Sequence, residues 1–179
     1  MNDLTLEGQR ILSTWQRHLY AEFNLKNTEA ALDTMTESPH ILLIPSGTGG
    51  IGREGVRDFY AHHFLPRIPP DWQLIPVSET LAQDCIVEEC VVRFTHTLEM
   101  DWMLPGVPVT NRKVEFGLVV IIRFENEKVA SEHLYWDQAT VLSQLGVLAS
   151  PPAAAGMESA AKLLTLSAQK PTARIAAQG

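Results

Sequence analysis

The second half of the chain alternates apolar and polar residues with a period of two, which is the pattern of strands that bury one face. The alternation begins at Asp71 and is rich in β-branched residues. It predicts four strands, at about Trp72 to Gln83, Cys85 to Met100, Val109 to Phe124 and Lys128 to Asp137. Short polar turns join the first strand to the second and the third to the fourth. Consecutive hairpins of this kind predict a strongly curved antiparallel sheet.

The first half of the chain has the apolar spacing of helices. Residues Leu4 to Phe23 predict one helix, a shorter one follows the capping residue Asn27, and a third spans about Arg53 to Leu65. Pro39 should end the second helix and precede a short apolar strand. Because the three helices must bury their apolar faces on the sheet, the predicted class is α+β.

Composition limits the kind of protein. A length of 179 residues suits one domain at about 1–149, followed by a Pro/Ala-rich linker, a short helix and a flexible tail at 150–179. The net charge of -7 argues against a nucleic-acid partner. The longest apolar runs are too short to cross a membrane, and MNDLTLEGQR lacks the order of a signal peptide, so a cytoplasmic location is predicted. Cys85 and Cys90 are expected to be buried free thiols.

The last predicted strand carries the main candidate site. On a straight strand His133, Tyr135 and Asp137 share one face, and all three can hold or move protons. Asp137 is the predicted catalytic acid/base, with His133 and Tyr135 orienting it or polarising a carbonyl. The alternative role for Asp137 is to cap a helix that begins at Gln138.

Two further ionisable residues lie on one face of the second predicted strand. His96 follows Cys90 and Phe94 on that face, as either a core histidine with a backbone partner or a catalytic donor in the pocket. Glu88 would join the same face, as either a pocket acid or an exposed residue.

Several short motifs also resemble a known family. The motifs are Phe59-Tyr60, His63-Phe64, Phe94-Thr95-His96, Asp101-Trp102-Met103-Leu104-Pro105-Gly106, Glu125-Asn126-Glu127-Lys128-Val129, Tyr135-Trp136-Asp137-Gln138 and Gln144-Leu145-Gly146. With them the chain from about Leu4 to Leu148 resembles the nuclear transport factor 2-like superfamily, and within it the SnoaL-like branch.

The resemblance implies a cone-shaped α+β fold and one of several chemistries, including aldol cyclisation, isomerisation, epoxide hydrolysis and dehydration. It places the family's acid/base aspartate at Asp137, while the three residues of the epoxide hydrolases cannot all be placed. The expected ligand is a small hydrophobic molecule, and neither a cofactor nor a metal is expected. The residues expected to bind the substrate are Phe59, Phe94, Trp102 and Trp136.

Other features of the sequence allow more than one interpretation. The glycine-rich stretch Ser46 to Gly52 is either a phosphate cradle or a plain loop, and it lacks the lysine of a P-loop. His62 and His63 are adjacent on a predicted helix and point about 100° apart, which disfavours one shared metal ion.

The alternative to an enzyme is a ligand-binding or assembly module. The sheet face without helices is expected to form a homodimer.

Overall fold

The computed structural model describes residues 5–148 and 157–168. The first helix, α1, spans Leu6–Leu19, and its N-cap Thr5 accepts a hydrogen bond from the Gly8 amide. Its apolar stripe buries Ile11 and Trp15, as the sequence pattern predicts. The helix then widens into a π-helical segment, Tyr20–Leu25, which ends at Lys26 in the left-handed conformation.

Two further helices complete the first half. The short helix α2 spans Thr28–Asp33 and is capped by Asn27, whose side chain accepts from the Ala30 amide. The helix α3 spans Gly52–Asp58 and also continues as a π-helical segment, Phe59–Phe64. The predicted third helix is therefore present, but its second half has a wider turn than an α-helix.

Six strands form one open sheet with the order β2-β1-β6-β5-β4-β3. The strands are β1 Met35–Leu43, β2 Thr48–Ile51, β3 Gln73–Leu81, β4 Cys85–Thr95, β5 Lys113–Glu125 and β6 Lys128–Trp136. The four predicted strands correspond to β3–β6, although β4 ends five residues early and β5 begins four residues late. The arrangement of helices on a curved sheet is the predicted α+β class.

The sheet is mixed, whereas the sequence predicted an antiparallel one. β1 pairs with β6 in parallel, and all other neighbours are antiparallel. β1 is longer than predicted because Pro39 lies inside it instead of ending a helix before it. The register shifts between Met35 and His40, so the proline falls in an irregular stretch where no ladder donor is needed.

A bulge in β6 changes which residues face the helices. Val129 pairs with Phe124 and Ser131 pairs with Arg123, so Ala130 has no partner on β5. Beyond this extra residue the alternation is offset by one position. The predicted common face from Val129 to Asp137 is therefore wrong, because Glu132, rather than His133, pairs with the buried Ile122 and faces the helices.

The glycine-rich stretch forms part of a hairpin instead of a simple loop. Its residues 48–51 are β2, which pairs with the end of β1. A side chain at Gly49 would clash with the backbone of Ile41, and one at Gly50 would clash with the backbone of Gly55. These glycines allow the close approach of β1, β2 and α3.

The two faces of the sheet are covered differently. The inner face packs on α1–α3 and on the short helix α4, Gln138–Gln144, in the main hydrophobic core. The outer face carries α5, Met157–Ala168, which buries Ala160 against Val77 and Val91. None of the helices within the described residues has the length and apolarity that a membrane crossing requires. The predicted linker at 150–156 and tail at 169–179 lie outside the described residues.

Candidate functional site

A cavity of about 60 Å³ lies between the helices and the inner face of the sheet. An apolar cavity of roughly 150 Å³ binds benzene, so this space is small by comparison and the cone is filled mainly by its own side chains. Its wall is largely aromatic, and the rings come from Trp15, Phe23, Phe59, Tyr60, Phe64, Trp72, Trp102, Phe116 and Trp136. The polar side chains of the wall are those of Glu22, Glu88, Cys90 and Glu132, besides Tyr60.

The cavity reaches the surface between the first helix and β3. Four of its lining residues, Leu19, Phe23, Trp72 and Leu74, also line a surface depression next to it. All four are partly exposed, in contrast to the buried residues deeper in the cone. We call these four apolar side chains the entrance residues.

Glu88 is a carboxylic acid in an aromatic environment. It lies on β4, and its Oε1 accepts a hydrogen bond of 2.7 Å from the indole Nε1 of Trp15. Burial raises the pKa of Glu88 to about 7, and the Trp15 hydrogen bond opposes this rise. Glu88 is therefore poised to take up or release a proton near neutral pH. Burial raises the pKa of the neighbouring Cys90 thiol to about 12, which makes it a poor nucleophile.

A second polar group lies at the cavity wall, where Glu22, Tyr60 and Glu132 surround the buried His18. His18 Nε2 is 3.0 Å from Tyr60 Oη, 3.1 Å from Glu132 Oε1 and 3.3 Å from Glu22 Oε1. His18 and Tyr60 are fully buried, and the two glutamates are at most 5% exposed. We call His18, Glu22, Tyr60 and Glu132 the buried cluster.

Hydrogen bonds fix the orientation of the His18 ring. The Thr34 hydroxyl donates to the Ala31 carbonyl, so its oxygen accepts from His18 Nδ1–H at 2.6 Å. His18 Nε2 therefore faces the two carboxylates with either a proton or a lone pair. Burial lowers the pKa of His18, but the charges of Glu132 and Glu22 outweigh it and raise this pKa to about 10.

The helix geometry explains how the buried cluster forms. Ile11, Trp15, His18 and Glu22 recur every three or four residues, so two ionisable side chains occupy the buried stripe of α1 and its extension. Glu22 and Tyr60 each lie in a π-helical segment, a feature that is frequent at functional sites. The buried cluster was not predicted from the sequence, although two ionisable residues within an apolar helical stripe, His18 and Glu22, were a usable signal.

The structure places Asp137 at the start of α4, as its N-cap. Its carboxylate accepts hydrogen bonds from the amides of Ala139 and Thr140 and from the Thr140 hydroxyl. The Thr140 hydroxyl bond is the main cause that lowers the pKa of Asp137. Asp137 is not among the cavity-lining residues within the described part of the chain. The capping role that the sequence left open is thus the one that this geometry supports.

The other predicted catalytic residues also lie away from the cavity wall. His96 is buried just beyond β4, where Nδ1 is 3.2 Å from Thr110 Oγ1. His133 is on the outer face of the sheet, with its Nε2 3.0 Å from His40 Nε2. Tyr135 is 40% exposed. The structure therefore does not bring His96, His133, Tyr135 and Asp137 together around one pocket.

Three of the four predicted substrate-binding residues line the cavity. Phe59, Trp102 and Trp136 form parts of its wall, and their contact with a substrate stays a prediction. Phe94 is buried behind the wall and stacks on Trp72, with ring centroids 5.1 Å apart. The Trp72 and Trp102 indole N–H groups are buried and have no hydrogen-bond partner within residues 5–148 and 157–168.

Comparison with known sequences identifies a family. The sequence model of the SnoaL-like polyketide cyclases matches residues 14–145, a range that includes the cavity and the buried cluster. No curated protein sequence matches the chain.

Solved structures share the fold at low sequence identity. A candidate SnoaL-like polyketide cyclase from Jannaschia sp. CCS1 is 17% identical, with a TM-score of 0.66 over 85% of this chain and 100% of that one. The candidate hydroxylase AclR from Streptomyces galilaeus is 20% identical, with a TM-score of 0.61 over 89% and 99%. TerC, which was co-crystallised with polyporic acid, is 14% identical, with a TM-score of 0.57 over 76% and 98%. These neighbours confirm the predicted α+β cone.

Proposed function

This chain belongs to the SnoaL-like polyketide cyclase family, and we propose that it is an enzyme that moves a proton within a small hydrophobic carbonyl compound. The observation that carries the proposal is the Glu88 carboxyl group, which is held in an aromatic cavity by Trp15. Glu88 replaces Asp137 as the acid/base in this proposal, because Asp137 caps α4.

The proposed step begins with the ionised carboxylate of Glu88. It removes a proton from the carbon next to the carbonyl group, and the electron pair of that C–H bond moves toward the carbonyl oxygen as an enolate forms. Returning the proton to another carbon of a conjugated enolate completes an isomerisation. In an aldol cyclisation the enolate carbon instead attacks a second carbonyl group, and the alkoxide that forms takes the proton back from Glu88. The unpartnered indole N–H groups of Trp72 and Trp102 are candidate donors to the enolate oxygen.

Cavity size restricts the substrate class. About 60 Å³ admits only a small molecule unless the entrance residues move. No lysine or arginine lines the cavity within the described residues, which disfavours an anionic substrate. We therefore expect a small, neutral ketone or a related carbonyl compound.

The experiment measures exchange of the protons next to a carbonyl group. Acetone, butanone and cyclopentanone are incubated with the protein in D₂O, and deuterium incorporation is followed by NMR. The expected result is accelerated exchange whose rate rises with pH around 7, where Glu88 ionises. The variant Glu88→Gln should lose about 10²- to 10⁴-fold in rate, the usual contribution of a general base.

The matched control is Asp137→Asn, which keeps a side-chain oxygen to cap α4 and should keep the exchange rate. An unchanged rate in Glu88→Gln, or a loss confined to Asp137→Asn, would contradict the assignment of Glu88.

A second function is ligand binding without catalysis, which the largely apolar wall of the cavity supports. In that case the same ketones would change tryptophan fluorescence in a saturable way, because Trp15 and Trp72 line the cavity, while the exchange rate stayed at the background value.

A further inference from the structure

When both glutamates of the buried cluster are ionised, its single imidazole cannot balance their charge. Two carboxylates, those of Glu22 and Glu132, approach one nitrogen of His18 in a region almost closed to solvent. A buried carboxylate is costly unless it is paired and fully hydrogen-bonded. Even a protonated His18 leaves a net charge of -1 when both glutamates are ionised.

One carboxylate oxygen also lacks a hydrogen bond. Glu132 Oε1 has no hydrogen-bond partner among the residues that the structure describes. It lies 3.1 Å from His18 Nε2, so the two atoms are close without the alignment that a hydrogen bond requires. This oxygen belongs to a residue that is only 5% exposed and lines the cavity, so its lone pairs are available to a ligand.

The spacing of the donor atoms fits a metal ion. Metal–ligand bonds of about 2.0–2.2 Å place neighbouring donor atoms about 3.0–3.5 Å apart. His18 Nε2 lies 3.1 Å from Glu132 Oε1 and 3.3 Å from Glu22 Oε1. The three ligand atoms lie within 4.8 Å of one another, so one ion can reach all of them after a small adjustment. Tyr60 Oη is a further oxygen, at 3.0 Å from His18 Nε2.

The hydrogen bond on the far side of the ring fits the same role. A histidine that binds a metal generally donates its other N–H to an acceptor, which fixes the ring and exposes the lone pair of the ligating nitrogen. His18 does so through Nδ1–H, which donates to the Thr34 hydroxyl oxygen.

We propose that His18, Glu22 and Glu132 bind one divalent first-row transition-metal ion, for which Zn²⁺ is the probe. A set of one imidazole and two carboxylates suits such ions, and a charge of +2 neutralises both glutamates. The ion takes the place of a proton on His18 Nε2, so binding releases that proton to solvent. A metal ion at the buried cluster differs from the expectation, made from the sequence, that no metal is bound. Its binding is independent of the proposed proton transfer, because Glu88 is not one of the three ligands.

The first experiment counts bound zinc in the full-length protein. The chain is treated with a chelator, incubated with Zn²⁺, passed through a desalting column and analysed by mass spectrometry of the elements. We expect one Zn²⁺ per chain that resists the column. Glu132→Gln and His18→Gln should weaken binding at least tenfold and lose the ion on the column.

The controls separate the buried cluster from exposed histidines. His133→Gln removes an imidazole from the His40–His133 pair on the outer face, and Glu88→Gln removes a cavity carboxylate outside the cluster. Both should retain one Zn²⁺. If His18→Gln retains Zn²⁺ and His133→Gln loses it, the ion binds at the outer face and the proposal is overturned. A wild-type chain that keeps no ion would also overturn the proposal.

A second measurement covers the case in which the His18 variant does not fold. The Trp15 ring stacks on the His18 ring with centroids 5.3 Å apart, so a paramagnetic ion at the cluster should quench its fluorescence. Titration of the wild-type protein with Co²⁺ should quench part of the emission with a one-to-one endpoint. Trp15→Phe should lack that component. Binding of one Co²⁺ per chain without quenching of the tryptophan fluorescence would contradict a metal site at the buried cluster.

Discussion

Glu88 links the stability of the protein to pH. Its pKa rises from 4.5 to about 7 on folding, so ionising it opposes the folded state. The contribution of the protonated Glu88 carboxyl group to the free energy of unfolding is fully present below pH 4.5 and is lost as the pH rises through about 7. A shift of about 2.5 pH units corresponds to roughly 3 kcal/mol, so Glu88→Gln should be more stable than the wild type at pH 8 by up to that amount.

Urea denaturation at pH 4.5 and pH 8 measures this difference. The two proteins should have similar free energies of unfolding at pH 4.5, and the exposed control Glu125→Gln should follow the wild type at both values. Parallel pH profiles for the wild type and Glu88→Gln would show that the carboxyl group is solvated.

Asp137 should matter for stability and not for chemistry. Asp137→Ala removes an N-cap that accepts from two amides, and such a change typically costs about 1 kcal/mol. Asp137→Asn retains an oxygen at the same position and should recover most of the loss. Thermal unfolding measures the cost, and proton exchange with ketones tests the chemistry. Loss of exchange in a folded Asp137→Asn protein would restore the assignment made from sequence.

At the scale of elements, the hairpin of β1 and β2 depends on its glycines for packing. A side chain at Gly50 would clash with the backbone of α3 at Gly55, so Gly50→Ala should cost about 1–3 kcal/mol. Gly55 lies inside α3 with only ordinary contacts around its Cβ position. Gly55→Ala should therefore be neutral or stabilise the protein by about 0.5–1 kcal/mol.

The midpoint of chemical denaturation compares these two variants. Phosphate is added in a parallel titration, because the same stretch was considered as a phosphate cradle. Equal stability of Gly50→Ala and the wild type would show that the hairpin can move away from α3.

Several elements could be predicted from their local pattern. The cap Asn27, the helix at Leu6–Leu19 and the turn Glu125–Glu127 correspond to local signals, because short-range sterics and hydrogen bonds decide them. The parallel pairing of β1 with β6 could not be predicted, since the partners are about ninety residues apart and no turn encodes their register.

At the scale of the whole molecule, the surface available for the expected homodimer is smaller than the whole outer face of the sheet. Because α5 covers the outer face of β3–β5, the exposed part is at β1 and β6. The large apolar residues there are Leu42, Ile44 and Tyr135, which are 37–42% exposed. We predict a dimer through this surface, and Ile44→Glu should convert it into a monomer.

Light scattering coupled to size-exclusion chromatography gives the mass of each form. The control is Ile51→Glu, which adds the same charge at an 87% exposed position of the edge strand β2 and should leave the dimer intact. A monomeric wild-type protein would rule out this use of the surface.

The sequence alone determined the class of the molecule: helices first, a curved sheet after them, and a family resemblance confirmed over residues 14–145. The order of helices and strands follows from hydrophobic periodicity, which local segments carry by themselves, whereas the resemblance depends on short motifs such as Tyr135-Trp136-Asp137-Gln138. The tertiary structure alone decided which ionisable groups meet. The unpaired Ala130 turns Glu132 toward the helices, and the π-helical segments bring Glu22 and Tyr60 toward His18. One extra residue in a strand exchanges its two faces, and no periodicity in the sequence marks where that residue is accommodated.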